Sequence, residues 1–189
     1  MNKENNFIAI IKVSKQSVVQ IGLMLLASLT MIASAIPFIR CWLPSESTKL
    51  TEAAVRVDIS QLKPGQMMTV LWQGKPVWIL RRTADMLDDL KKHHEQLKDP
   101  FSIKSVQPDK SKNEYRSLSD EYFVVLGKCT HMGCIPIMKP DSGFICPCHG
   151  SNFDFAGRVL KGAPAPHNLM IPNYHFSEDG QAIIIGELA

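Results

Sequence analysis

Cysteine and histidine side chains that could bind a metal are concentrated in one short stretch. Four of the five cysteines and two of the six histidines fall between positions 129 and 149. They form two clusters, C-T-H-M-G-C and C-P-C-H-G-S. The candidate ligands are Cys129, His131, Cys134, Cys146, Cys148 and His149. Each cluster contains a glycine, which allows a tight loop to bring its backbone close to a bound group. Thiolates and imidazoles at this density predict a transition-metal centre held between two loops.

A structural zinc site is the first alternative. Zinc takes about four ligands and would leave two of the six over. The usual zinc spacings, C-x2-C with H-x3–5-H, are absent; the chain has Cys-x-His in one cluster and Cys-x-x-His in the other. The pattern favours another centre, with a zinc-stabilised, membrane-anchored binding module kept as an alternative.

The two spacings resemble the motifs of Rieske proteins, in which two histidines replace two cysteines on one iron of a 2Fe–2S cluster. Membrane-bound Rieske proteins of bacterial ubiquinol–cytochrome c reductases carry the same motifs. The resemblance extends through KPVWILRRT, NEYRSLSDEYFVVLG, both clusters and AGRVLKGAPAPHNLMIPNYHF. It implies an all-β Rieske head of antiparallel sheets, with two cluster-binding loops and one inserted helix, on a single N-terminal transmembrane helix.

The resemblance also assigns ligands. Cys129 and Cys146 would bind one iron of the cluster, and His131 and His149 the other. His149 would face a quinol, bind its hydroxyl and accept its proton. In the family a disulfide joins the two cluster loops, which implies a Cys134–Cys148 pair here and an oxidising compartment.

Residues around the clusters gain roles in the same way. The hydroxyl of Ser151 matches one that donates a hydrogen bond to a cluster sulfide and raises the reduction potential. A loop that covers the cluster in the family, the proline loop, matches Gly162, Ala163, Pro164, Ala165 and Pro166. Phe153 is a departure, because high-potential relatives commonly have a tyrosine there whose hydroxyl contacts a ligand sulfur. We expect a lower reduction potential than in those relatives.

The implied function is electron transfer within a quinol–cytochrome c oxidoreductase, a translocase. The cluster would receive an electron from quinol and pass it to a c-type haem, with cytochrome b and a c-type cytochrome as partners in a dimeric complex. The Rieske subunit of another periplasmic oxidoreductase is the alternative. A Rieske oxygenase is disfavoured, because the chain is too short for the additional mononuclear-iron domain.

The N-terminal part predicts a membrane anchor. Residues 18–39 carry no formal charge and would span roughly 33 Å as a helix, about one hydrocarbon core. A cleaved signal peptide is the alternative, since Ala33-Ser34-Ala35 resembles a cleavage site, but the apolar stretch exceeds the usual signal core. The predicted organisation is a tail at 1–17, an anchor at 18–40, a flexible hinge linker at 41–56 and a head at 57–189. Cys41 is interpreted as a structural or incidental thiol.

Charge gives the orientation. The net charge of +3 lies entirely within the first 56 residues, and the remainder is formally neutral, which disfavours nucleic acid as a partner. Three lysines against one glutamate in residues 1–17 predict a cytoplasmic N-terminus. The head would then lie in the periplasm of a bacterium, anchored in its inner membrane. The stretch from Ser14 to Ser17 lacks the arginine pair of a twin-arginine export signal, so the export route is left open.

Alternating and apolar runs predict the elements of the head. Strands are expected at 55–59, 67–72, 76–80, 122–126 and 182–185, with a hairpin signal at Gln73-Gly74-Lys75 between the second and third. One helix is expected at 84–97. Lys98 lies just beyond its C-terminal end, where a positive charge interacts favourably with the helix dipole. His93 and His94 are interpreted as solvated surface of that helix. Residues 99–121 are expected to be an irregular, exposed excursion.

Overall fold

The computed structural model describes residues 15–42, 54–92 and 94–186. The chain forms two compact units, Met1–Glu46 and Ser47–Ala189. The second unit is called the head below. Its elements lie between residues 55 and 185.

The N-terminal unit contains one long helix, α1 (Lys15–Trp42), of 28 residues. This helix is long enough to cross a membrane, and its mean hydropathy of 2.0 is high enough for a membrane span. The hydroxyls of Ser28, Thr30 and Ser34 donate to backbone carbonyls of the same helix. Polar side chains satisfied within their own helix suit an apolar surrounding. The helix includes Cys41 and Trp42, which the sequence prediction assigned to the linker.

A three-stranded antiparallel sheet forms the centre of the head. Its strands are β2 (Met67–Trp72), β3 (Lys75–Arg81) and β4 (Tyr122–Leu126), in that order. Gln73 and Gly74 both have positive φ, as a two-residue hairpin turn with the right twist requires. The strands at 67–72 and 122–126 and the hairpin are confirmed as predicted, and β3 extends one residue further at each end.

A second antiparallel sheet contains both ends of the described head. Its strands are β1 (Val55–Asp58), β8 (Tyr174–Phe176) and β9 (Ala182–Ile185), in the order β1-β9-β8. The strand at 182–185 is confirmed, and β1 is one residue shorter than expected. The predicted linker residues Val55 and Arg56 belong to β1, while residues 43–53 lie outside the described part.

The third sheet is the smallest and positions the two cysteine and histidine clusters. It consists of β5 (Ile137–Lys139), β6 (Gly143–Ile145) and β7 (Asn152–Phe153), all antiparallel. The first cluster lies between β4 and β5, and the second between β6 and β7. Trp78 of β3 stacks on Phe144 of β6, with ring centroids 5.4 Å apart. This contact fixes the small sheet against the central one.

The predicted helix is shorter than expected. Helix α2 (Ala84–Lys92) is followed by a 3-10 turn at His94–Gln96. His94 lies on that turn, half-buried and 6.1 Å from the Phe101 ring centroid, rather than on a solvated helix face; His93 lies outside the described residues. The expectation of a helix to residue 97 was wrong because Leu97 instead pairs with Leu160 in a β-bridge.

The excursion at 99–121 is irregular, as predicted, apart from one 3-10 turn at Asp109–Ser111, but it is not wholly exposed. Asp99, Ser102, Ser111, Arg116 and Ser117 are buried. The Asp99 carboxylate accepts from the amides of Ile103 and Lys104, and the Arg116 guanidinium donates to the carbonyls of Ala156 and Leu169. Part of this polar stretch is therefore internal hydrogen-bonding structure. Polarity in the sequence was a poor guide to exposure here, because buried polar side chains can be satisfied by loop backbone.

Candidate metal centre

Loop 1 (residues 127–136) leaves β4 and closes on itself around Cys129. The amide of Cys129 donates to the carbonyl of Cys134 at 2.8 Å, and the amide of Gly133 donates back to the carbonyl of Cys129 at 2.9 Å. Gly133 has a φ of 82°, a conformation that residues with a Cβ rarely adopt. The glycine therefore makes the tight closure possible.

Loop 2 (residues 146–151) repeats this geometry. The amide of Cys146 donates to the carbonyl of Ser151 at 2.8 Å, and the amide of Gly150 donates to the carbonyl of Cys146 at 2.9 Å. Gly150 has a φ of 70°. In both loops the first cysteine therefore bonds to the residues four and five positions later, so two equivalent turns each present a cysteine and a histidine.

The thiols and imidazoles divide by depth. Cys129 and Cys146 are 3% and 1% exposed, and neither is in a disulfide. His131 and His149 are exposed, and their ring centroids lie 4.7 Å apart at an interplanar angle of 87°. The two loops thus bring all four side chains to one end of the head, with sulfur inside and imidazole outside.

The disulfide expected from the resemblance is confirmed. Cys134 and Cys148 are bonded, with an S–S distance of 2.15 Å. Both disulfide sulfurs lie within 4.8 Å of the Cys146 sulfur. The bond joins loop 1 to loop 2 beside the buried thiols and removes two of the six candidate ligands. Two thiols and two imidazoles are left.

The surroundings of Cys129 favour the neutral thiol over the thiolate. Burial raises the pKa of its thiol, and the neighbouring Cys146 raises it further, whereas the His131 amide and the Ser151 hydroxyl oppose the increase. Two buried thiols this close resist joint ionisation unless a positive centre lies between them. The donor set, two sulfurs inside and two imidazole nitrogens outside, fits the histidine-for-cysteine replacement of a Rieske 2Fe–2S cluster.

Ser151 lies at the inner side of the site and contacts the proline loop. It is fully buried, and its Oγ accepts a hydrogen bond from the amide of Ala165 at 3.0 Å. Thr130 of loop 1 donates to the carbonyl of His167 at 2.6 Å. The segment at 162–167 is therefore held next to both cluster loops.

Two contacts of this loop were missed by the sequence reasoning. The sequence prediction gives Thr130 no role and treats Lys98 only as a charge beyond a helix. Lys98 instead donates to the carbonyls of Ala163 and Ala165. Only the path of residues 97–98 beside residues 159–161 makes this contact available, and no local sequence signal indicates that path.

Phe153 is fully buried in β7, opposite Phe144 of β6. It is part of the hydrophobic core of the head. The side chain has no polar group, so it contributes packing at a position where a hydroxyl could otherwise act on the site.

Comparison with known proteins agrees with the motifs and the site. Residues 53–175 match the Rieske 2Fe–2S domain family. The ubiquinol–cytochrome c reductase iron–sulfur subunit of Allochromatium vinosum is 44% identical over 163 residues, covering 80% of this chain and 78% of that protein. The mitochondrial cytochrome b-c1 complex subunit Rieske-4 of Nicotiana tabacum is 42% identical over 71% of this chain, which spans only 54% of that relative.

Among solved structures, a chain from a hyperthermophilic respiratory Complex III is 28% identical in sequence. The match covers 87% of this chain and 98% of the Complex III chain, with a TM-score of 0.49. The family match covers both cluster loops, the disulfide cysteines and the proline loop. The chain belongs to the Rieske 2Fe–2S domain family.

Proposed function

We propose that this chain is the iron–sulfur subunit of a ubiquinol–cytochrome c reductase, in which it transfers electrons. The observation that carries the proposal is the pairing of two buried thiols with two exposed imidazoles on disulfide-linked loops. The name of the Allochromatium relative supports the same assignment. The reductase reaction belongs to the complex, and this subunit supplies one redox centre to it.

We assign Cys129 and Cys146 to the inner iron and His131 and His149 to the outer iron. A bound 2Fe–2S cluster would accept one electron and pass it on, at a potential raised by its neutral imidazole ligands. The exposed ring of His149 would bind the quinol hydroxyl and hold its proton on the outer ring nitrogen. Because Cys129 and Cys146 are buried, water would have little access to the sulfur ligands of the cluster.

The proposed surroundings follow from the remaining elements. Helix α1 would anchor the chain in the bacterial inner membrane, with the N-terminus cytoplasmic and the head periplasmic. The segment between α1 and β1 would act as a hinge for the head. Cytochrome b and a c-type cytochrome would be the partners within a dimeric complex. An oxidising periplasm agrees with the Cys134–Cys148 disulfide.

Electron paramagnetic resonance of the full chain tests the metal assignment. The detergent-purified protein, reduced with dithionite, should contain two irons per chain and give a Rieske-type signal. Zinc also takes two cysteines and two histidines, so a silent protein with one zinc per chain would overturn the proposal. The Cys146→Ser variant, with the same disulfide, should lack the signal.

Purification from host membranes tests the partners. A tagged full-length chain should copurify with a haem-bearing cytochrome b and a c-type cytochrome, and the preparation should reduce cytochrome c with quinol. The Cys146→Ser variant should copurify with the same proteins without that activity. Copurification with a different oxidoreductase and no cytochrome b would instead favour the alternative assignment.

A further inference from the structure

A short segment, residues 96–98, runs beside the chain that enters the proline loop. Leu97 and Leu160 form a β-bridge. The amide of Lys98 donates to the carbonyl of Val159 at 2.9 Å, and the amide of Lys161 donates to the carbonyl of Gln96 at 2.7 Å. The backbone of Lys98 is thereby fixed next to the base of the loop.

The side chain of Lys98 reaches into the loop itself. Its Nζ donates to the carbonyl of Ala163 at 2.5 Å and to that of Ala165 at 3.0 Å. Both alanines are buried, Ala165 completely. Buried carbonyls need donors, and the neighbouring Pro164 and Pro166 have no amide hydrogen to offer. A lysine ammonium has three hydrogens, so one residue satisfies both carbonyls.

The same alanine is bound on its other side by a residue of the metal centre. The amide of Ala165 donates to the Ser151 Oγ at 3.0 Å. Because that bond uses a lone pair of the hydroxyl, the hydroxyl proton remains free to donate elsewhere. Ser151 is fully buried and closes loop 2, where its carbonyl accepts from the amide of the proposed ligand Cys146 at 2.8 Å. Ala165 thus connects Lys98 to the orientation of this hydroxyl.

The far end of the loop is held separately. The Asn168 side chain donates to the carbonyl of Asp99 at 2.9 Å and to the Ser102 hydroxyl at 2.8 Å, and it accepts from the amide of Val159 at 2.8 Å. These bonds do not involve Lys98. Loss of the lysine should therefore loosen the middle of the loop and leave its end in place.

We propose that Lys98 is a positioning residue of the redox site: by holding Ala163 and Ala165 it keeps the proline loop closed and directs the Ser151 hydroxyl toward the cluster sulfur. This inference rests on the proposed function for the presence of the cluster. A directed hydroxyl stabilises the reduced, more negative state, so a loosened loop lowers the reduction potential.

A redox titration of the full chain in detergent, followed by electron paramagnetic resonance, measures the effect. Lys98→Met should shift the redox equilibrium at least threefold toward the oxidised state, about 28 mV at 59 mV per tenfold change, with an altered line shape of the signal. Lys98→Arg keeps the charge and the donors and should restore both. Lys92→Met removes the same charge from the exposed end of α2 and should leave both unchanged.

A double-mutant cycle separates positioning from the loss of a charge. If Lys98 acts through Ser151, Lys98→Met should shift the potential by a much smaller amount in a Ser151→Ala background than in the wild type. Equal shifts in both backgrounds would mean that only charge is involved and would overturn the proposal. No shift in the wild-type background would overturn it as well.

Cluster content provides the second measurement. If Lys98→Met purifies without a cluster, the proposal requires Lys98→Arg to retain it, with normal circular dichroism for both. Loss in the arginine variant too would contradict the proposal. A wild-type chain without a Rieske signal overturns the proposed function, whereas a normal wild-type signal with an insensitive Lys98 overturns this inference alone.

Discussion

At the scale of single residues, three buried arginines hold the segment that follows loop 2. Arg82 donates to the carbonyl of Phe155, Arg116 to those of Ala156 and Gly157, and Arg158 to the carboxylate of Asp154. Burial lowers the pKa of Arg82 and Arg116 to about 10, which still leaves both protonated at neutral pH. Charged donors to backbone carbonyls are strong hydrogen bonds. The backbone between Ser151 and the proline loop is therefore rigidly placed.

Phe153 offers a direct test of how a nearby hydroxyl affects the site. Phe153→Tyr should raise the reduction potential, because a hydroxyl bonded to a ligand sulfur stabilises the reduced state. A differential bond of ~1–2 kcal/mol corresponds to about 40–90 mV for one electron. Voltammetry of the full chain measures the shift. Phe155→Tyr adds a hydroxyl at another buried core position and should leave the potential unchanged; a potential that stays the same or falls in Phe153→Tyr would contradict the expectation.

At the scale of elements, the motifs predicted the two loops better than the strands that carry them. Six ligand-type residues at two spacings were enough to predict facing loops and a metal centre. The strands β5, β6, β7 and β8 were not predicted, since two or three residues are too few to show an alternating pattern. Helix α2 ended early because pairing of Leu97 with Leu160, distant in sequence, outweighed local helix preference.

Gly143 at the start of β6 should be essential to the small sheet. Its φ is 94°, and a Cβ there would lie 2.2 Å from the carbonyl oxygen of Phe153 on the paired strand. Gly143→Ala adds backbone strain of about 1–2 kcal/mol and a clash of about 1–3 kcal/mol. We expect the free energy of unfolding to fall by the sum, measured by urea unfolding of the full chain in detergent with circular dichroism.

Gly74 in the β2–β3 turn is the matched control. It also has a positive φ, of 67°, but a Cβ there would meet nothing within 4 Å. Gly74→Ala should therefore lose only the strain contribution, about 1–2 kcal/mol. Equal losses in the two variants would show that the close approach to Phe153 does not matter.

At the scale of the whole molecule, the distribution of charge and apolar residues predicted the two units. The apolar stretch became α1, although the helix begins before and ends after the predicted anchor. The ligands, the disulfide and the proline loop were predicted through resemblance, and the disulfide is confirmed. The roles of Lys98, Thr130 and the buried arginines could not be predicted, because each depends on contacts between segments far apart in sequence.

The orientation of the chain in the membrane can be tested with Cys41, which is exposed near the end of α1. With the N-terminus in the cytoplasm, Cys41 lies on the periplasmic side. A membrane-impermeant maleimide should therefore label it in cells whose outer membrane has been made permeable. Cys129 and Cys146 are buried, and Cys134 and Cys148 are bonded, so Cys41 should account for the label.

Two variants make the labelling decisive. Cys41→Ser should abolish the label, which establishes that the reagent reports this position. In that background, Ser14→Cys places a thiol in the predicted cytoplasmic tail, and it should react only after the inner membrane is lysed. The reverse pattern, with Ser14→Cys labelled in intact spheroplasts and Cys41 protected, would place the head in the cytoplasm, where a reducing environment would not maintain the Cys134–Cys148 disulfide. The labelling pattern thus tests the charge-based orientation, on which the oxidising surroundings of the disulfide depend.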